Sequence, residues 1–87
     1  MITIIVYDVS EKRVSKVCNF LKQYLFWIQN SVFEGDLTVS EIKKIKKEIE
    51  RMIDPQTDSV LFYILKSDKF LIKENLGLNR NKISTIL

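Results

Sequence analysis

Histidine is absent from this chain, cysteine occurs once, proline once and glycine twice. Without histidine there is no Ser-His-Asp or Cys-His nucleophile, no imidazole proton shuttle and no histidine-bound transition metal. The lone Cys18 excludes an intrachain disulfide and a cysteine zinc site, and it fits a reducing, cytoplasmic setting. No basic leader with an apolar core is seen, nor any apolar run of about 18 residues, so neither an export signal nor a membrane span is expected. With so few turn-formers, little of the chain is expected to be free linker. Any enzyme chemistry must therefore rest on carboxylates, hydroxyls, lysines or an oxygen-liganded metal such as Mg²⁺.

The 87 residues suffice for one domain, and 46% hydrophobic with 29% charged residues is the composition of an ordinary globule. A domain of this size buries only about 60–65% of its unfolded surface, so it gains from self-association. The net charge of +3 and pI near 9.1 lean weakly toward an anionic partner.

Ile2-Thr3-Ile4-Ile5-Val6-Tyr7 reads as a central strand buried on both faces, ending at Asp8. Ser10 is a candidate N-cap, and Val14, Val17, Cys18, Leu21 and Leu25 recur at helical spacing, which predicts a helix over 11–25. Trp27 to Leu37 is β-like, either a hairpin turning at Asn30-Ser31 or one strand with a bulge. Thr38 and Glu41 form a capping box, and Ile42, Ile45, Ile49, Met52 and Ile53 follow on one helical face. That helix ends near Asp54 because Pro55 follows. Residues 59–65 give a second apolar strand, residues 70–73 a further short one, and Gly77 a turn. The alternating segment from Lys82 to Leu87 is expected to pair with another chain or an edge.

The predicted order β-α-β-β-α-β is the ferredoxin-like arrangement, an α+β sandwich with both helices on one sheet face. Its two most apolar strands become the central pair. The uncovered face is apolar enough to suggest a sheet-to-sheet homodimer. On this reading residues 1–78 form the domain, and residues 79–87 a C-terminal strand swapped onto the partner chain.

Ile5-Val6-Tyr7-Asp8-Val9-Ser10, Gln29-Asn30-Ser31-Val32-Phe33-Glu34-Gly35 and Ile53-Asp54-Pro55 with Asp58-Ser59-Val60 resemble the CRISPR-associated protein two family, the small subunit of the spacer-acquisition machinery. The resemblance runs over almost the whole chain. It implies a ferredoxin-like homodimer with a crossing C-terminal strand. It also implies that Asp8 meets its symmetry mate and that the pair holds a divalent metal, Mg²⁺ or Mn²⁺. Members of that family are described as metal-dependent endonucleases acting on RNA or double-stranded DNA. In others the protein bridges integrase dimers and lays duplex DNA across itself without cleaving it. Many relatives carry Gly-x-Arg before the glutamine where this chain has Leu25, Phe26 and Trp27, which removes one expected phosphate contact.

Asp8 is thus the candidate catalytic and metal-binding residue, against the commonplace alternative of a turn aspartate capping the first helix. Ser10 and Ser31 can orient water or phosphate, although caps and turns use serine routinely. Lys12, Arg13 and Lys16 stand nearest the Asp8 strand end and are the expected phosphate contacts. The denser run Lys43, Lys44, Lys46, Lys47 and Arg51 is interleaved with Glu48 and Glu50 and reads as a solvated helix face. Tyr7, Phe33, Ile83 and Ile86 are expected in the dimer interface. Phe33 and Trp27 have rings able to stack on a base, but packing at the interface is the plainer reading. An RNA-recognition motif shares the strand order, but its K/R-G-F/Y-G/A-F-V-x-F/Y run is missing.

Overall fold

The computed structural model describes residues 1–66 and 70–78. Its elements are β1 (Ile2–Asp8), α1 (Glu11–Leu21), β2 (Phe26–Gln29), β3 (Val32–Asp36), α2 (Val39–Met52), β4 (Ser59–Leu65) and β5 (Leu71–Gly77). The sheet runs β2-β3-β1-β4-β5 and every neighbouring pair is antiparallel. The first four strands and two helices make the ferredoxin-like βαββαβ sandwich. As the sequence predicts, β1 and β4 lie side by side in its interior. β5 adds to the edge beside β4 along its full length, from Leu65 opposite Leu71 to Ser59 opposite Gly77. It is a seven-residue strand, longer than the one read over residues 70–73. The swapped strand over residues 79–87, with Ile83 and Ile86, lies outside the described residues.

Strand parity decides what each residue faces. Thr3, Ile5 and Tyr7 of β1, Phe33 of β3, and Val60, Phe62 and Ile64 of β4 point toward the helices and are buried. Against them pack Val17 and Leu21 of α1 and Ile42, Ile45 and Ile49 of α2. Tyr7 and Phe33 therefore belong to the core and not to a dimer interface, their rings stacked with centroids 6.1 Å apart. A β1 that is apolar at both parities gave no indication of which side the helices would take. The opposite parity carries Ile2, Ile4 and Val6 of β1, Leu61, Tyr63 and Leu65 of β4, Leu71 of β5 and Phe26 of β2, with Glu34, Asp36, Lys73 and Asn75 on the outer strands. Among the described residues no helix covers this face, and Ile2, Leu65, Leu71 and Phe26 are exposed on it. Within one chain, then, β1 is buried on one face and only half-buried on the other.

Local chemistry sets the element ends. α2 has its capping box in full: the Thr38 hydroxyl accepts from the Glu41 N–H at 3.1 Å and the Glu41 carboxylate accepts from the Thr38 N–H at 2.9 Å. It stops at Met52, with Ile53 already extended ahead of Pro55. α1 stops at Leu21, one turn short of the Leu25 that periodicity suggested. Leu25 instead drops over Gly35, where a Cβ would come within 2.7 Å of its side chain, so the bare glycine makes room for it. Residues 26–36 form the hairpin and not one continuous strand, and β2 carries a bulge between Trp27 and Gln29. Asn30 takes the positive φ of 43° at its turn. Gly77 has φ 82°, and its missing side chain lets the Asp58 carbonyl accept from the Leu78 N–H at 2.8 Å.

Candidate functional site

Asp8 is the last residue of β1, opposite Ser59 of β4, and shares its parity with Ile4 and Val6. Its side chain is exposed at the end of the uncovered sheet face. Three residues later α1 begins at Glu11, so the Asp8-Val9-Ser10 segment is a short bend between a rigid strand and a rigid helix. No cluster of three or more Asp, Glu or Cys able to hold a metal ion occurs among the described residues. One chain thus supplies one carboxylate at this point, on the sheet face that none of the described helices covers.

Beneath the bend sits Asp58, a carboxylate whose importance the sequence did not reveal. It is fully buried just before β4. It accepts from the Ser10 N–H at 3.0 Å, the Asp54 N–H at 2.9 Å, Arg13 Nε at 2.6 Å and the Arg13 Nη2 at 3.3 Å. Burial by itself would raise the pKa of this group. The Arg13 guanidinium and the Asp54 and Ser10 N–H groups outweigh that and hold it well below the usual carboxylate range. No local pattern distinguishes this residue from an ordinary turn aspartate, since its guanidinium partner lies 45 positions away.

The expected phosphate contacts divide accordingly. Lys12 and Lys16 project from α1 into solvent. Arg13 is paired with Asp58, with its Nη2 also 3.4 Å from Thr57 Oγ1, and this contact pins the bend. Ser10 sits at the N-cap position, but its side chain makes no cap bond. Its hydroxyl therefore does not cap α1, and it is the Ser10 N–H that reaches Asp58. Ser31 lies at the β2–β3 turn, where its carbonyl accepts from the Tyr7 N–H at 3.1 Å. The Tyr7 hydroxyl is raised in pKa by burial and by the neighbouring Cys18 thiol, with Ser31 pulling the other way.

On α2, Lys46 pairs with Glu74 of β5, and Arg51 with Glu48 at 3.1 Å. Lys43, Lys44 and Lys47 remain exposed, which suits the solvated face read from sequence. Trp27 faces the helix side opposite Phe33, so it too lies away from the uncovered sheet face.

Comparison with known proteins bears on what this arrangement is for. The family model described as CRISPR associated protein Cas2 matches residues 1–71. A Dictyoglomus turgidum protein named CRISPR-associated endoribonuclease Cas2 is 45% identical over the whole of both chains. A protein of the same name from Pyrococcus furiosus is 44% identical, again over the whole of both. Among solved structures, one described as a crystal structure of cas2 superposes with a TM-score of 0.74 at 38% identity, covering 100% of this chain and 98% of the other. The Streptococcus pyogenes Cas2 structure at pH 6.5 gives 0.71 at 35% identity, covering 78% and 89%. Fold and full-length similarity agree: this chain belongs to the CRISPR-associated Cas2 family.

Proposed function

We propose that this protein is a metal-dependent endonuclease of CRISPR spacer acquisition, working as a homodimer and cleaving phosphodiester bonds of RNA or double-stranded DNA at paired Asp8 residues. The names of its relatives support endoribonuclease chemistry. The observation that carries the reading is the position of Asp8, an exposed carboxylate at the rim of an uncovered apolar sheet face. Two copies joined through that face, related by a twofold, bring two such carboxylates together. This supplies the second acid that one chain lacks.

The donor set fits a hard cation, because a solvent-facing carboxylate pair offers oxygen ligands and leaves the remaining positions to water and substrate phosphate. Asp8 and its copy would hold Mg²⁺ or Mn²⁺, which when bound polarises a phosphoryl oxygen and lowers the pKa of a water. The other residues act by position. The Arg13–Asp58 pair fixes the bend that follows Asp8, and Lys12 and Lys16 contact flanking phosphates without reading sequence.

The exposed lysines of both helices favour a second reading, a non-catalytic scaffold that bridges DNA for an integrase subunit. Replacing Asp8 with Ala separates the two. Loss of both cleavage and spacer integration supports catalysis, and loss of cleavage with integration intact supports the scaffold. Undiminished cleavage by the variant overturns the Asp8 assignment.

A further inference from the structure

A cavity of about 370 Å³ opens on the helix side of the sheet between α1 and the β2–β3 hairpin. Its lining is Tyr7, Val14, Cys18, Lys22, Trp27 and Asn30. The volume lies at the small end of ligand pockets, roughly 300–1,000 Å³, which admits one ring system and excludes a duplex. Two walls are aromatic. The Trp27 indole is 58% exposed, yet its orientation is set, since Nε1 donates to the Asn30 carbonyl at 2.9 Å. The bulge after Trp27 and the positive φ of Asn30 make that hydrogen bond possible by bringing the turn back over the indole. Lys22 is the one charged group of the lining, and no carboxylate is among the six residues. Apolar walls with π faces and a single cation match a flat aromatic ring carried on an anion, which is the chemistry of a nucleotide.

We infer that this cavity receives one unstacked base of a single-stranded nucleic acid, with the base against Trp27 and a neighbouring phosphate at Lys22. Tyr7 directly precedes Asp8, so the pocket and the candidate acid share one end of β1 on opposite faces of the strand. A strand anchored here is led around that end toward Asp8. The inference rests on the nucleic-acid reading given above and adds to it a preference for unpaired bases.

Trp27 is the sole tryptophan of the chain, so its fluorescence reports directly on the pocket. The full-length protein is titrated, without added metal, with a short fluorophore-labelled oligoadenylate, with an abasic strand of equal length and with a duplex. Strand binding is followed in parallel by anisotropy. Quenching of Trp27 by the oligoadenylate alone is expected. Trp27→Ala is expected to weaken oligoadenylate binding about 5- to 100-fold while Trp27→Phe retains most of it, from the usual worth of one base–aromatic stack. Val14→Phe, which fills the cavity from α1 and leaves Trp27 in place, is expected to weaken it similarly with melting unchanged. Equal quenching by the abasic strand or the duplex overturns the pocket. Binding without quenching, or no binding of the oligoadenylate, overturns the pocket and leaves the cleavage reading standing, since that reading is tested separately by Asp8→Ala with metal present.

Discussion

Arg13 and Asp58 meet at 2.6 Å, Nε to Oδ2, across 45 positions of sequence, and the carboxylate end of the pair is wholly buried. This contact ties the bend after Asp8 to the loop before β4. Those two segments flank the point where the candidate acid leaves the sheet. Removing the carboxylate strands the Ser10 and Asp54 N–H groups as well as the guanidinium. Asp58→Ala is therefore expected to destabilise the fold by about 3 kcal/mol, lowering the Tm by about 10–20 °C. Thermal melts of the variant and the parent chain check this.

Acid acts on the same group. The folded state holds the Asp58 pKa far below that of the unfolded chain, so in acid the unfolded state binds the extra proton. The stabilisation is complete above the unfolded carboxylate value of about 4 and is lost as pH falls from there toward the depressed folded value. Urea midpoints measured from pH 7 down to pH 2 should drop steeply below about pH 4. Asp58→Asn should show a shallower drop over the same window.

The cations of α1 have different tasks and should give different readouts. Lys12→Ala and Lys16→Ala should each reduce the salt dependence of nucleic-acid binding by about one unit of slope, with stability little changed. Arg13→Ala should instead lower thermal stability and leave that slope nearly intact. Filter binding over a salt series, beside melting curves, distinguishes the two roles.

Much of the fold was legible because its signals are local. The Thr38–Glu41 box, the isoleucine spacing of α2 and the apolar runs of β1 and β4 each need only a few neighbouring residues. The side each strand turned to the helices was not legible. β1 alternates large apolar residues at both parities, so Tyr7 and Phe33 read as interface residues although they fill the core. The Arg13–Asp58 pair was not legible either, because the aspartate lies far along the chain. The side that Trp27 takes was hidden as well, because its parity exists only after the hairpin has paired.

That parity yields its own prediction. Leu61 and Tyr63 face the uncovered side, so Leu61→Asp or Tyr63→Asp should abolish self-association in sedimentation velocity while leaving the monomer folded. Phe33→Ala, on the opposite face, should cost about 3–5 kcal/mol of stability. If the charged substitutions left the sedimentation profile unchanged, the second copy would have to sit elsewhere.

The central claim is that one acid from each of two copies forms a single cleavage centre, and subunit mixing tests it most directly. Wild-type and Asp8→Ala chains are exchanged in equal amounts and cleavage is measured at saturating Mg²⁺. If both carboxylates are required, only the wild-type pairs are active and the rate falls to about a quarter of the undiluted value. A rate near one half would show that each Asp8 works without its copy, contradicting the shared centre.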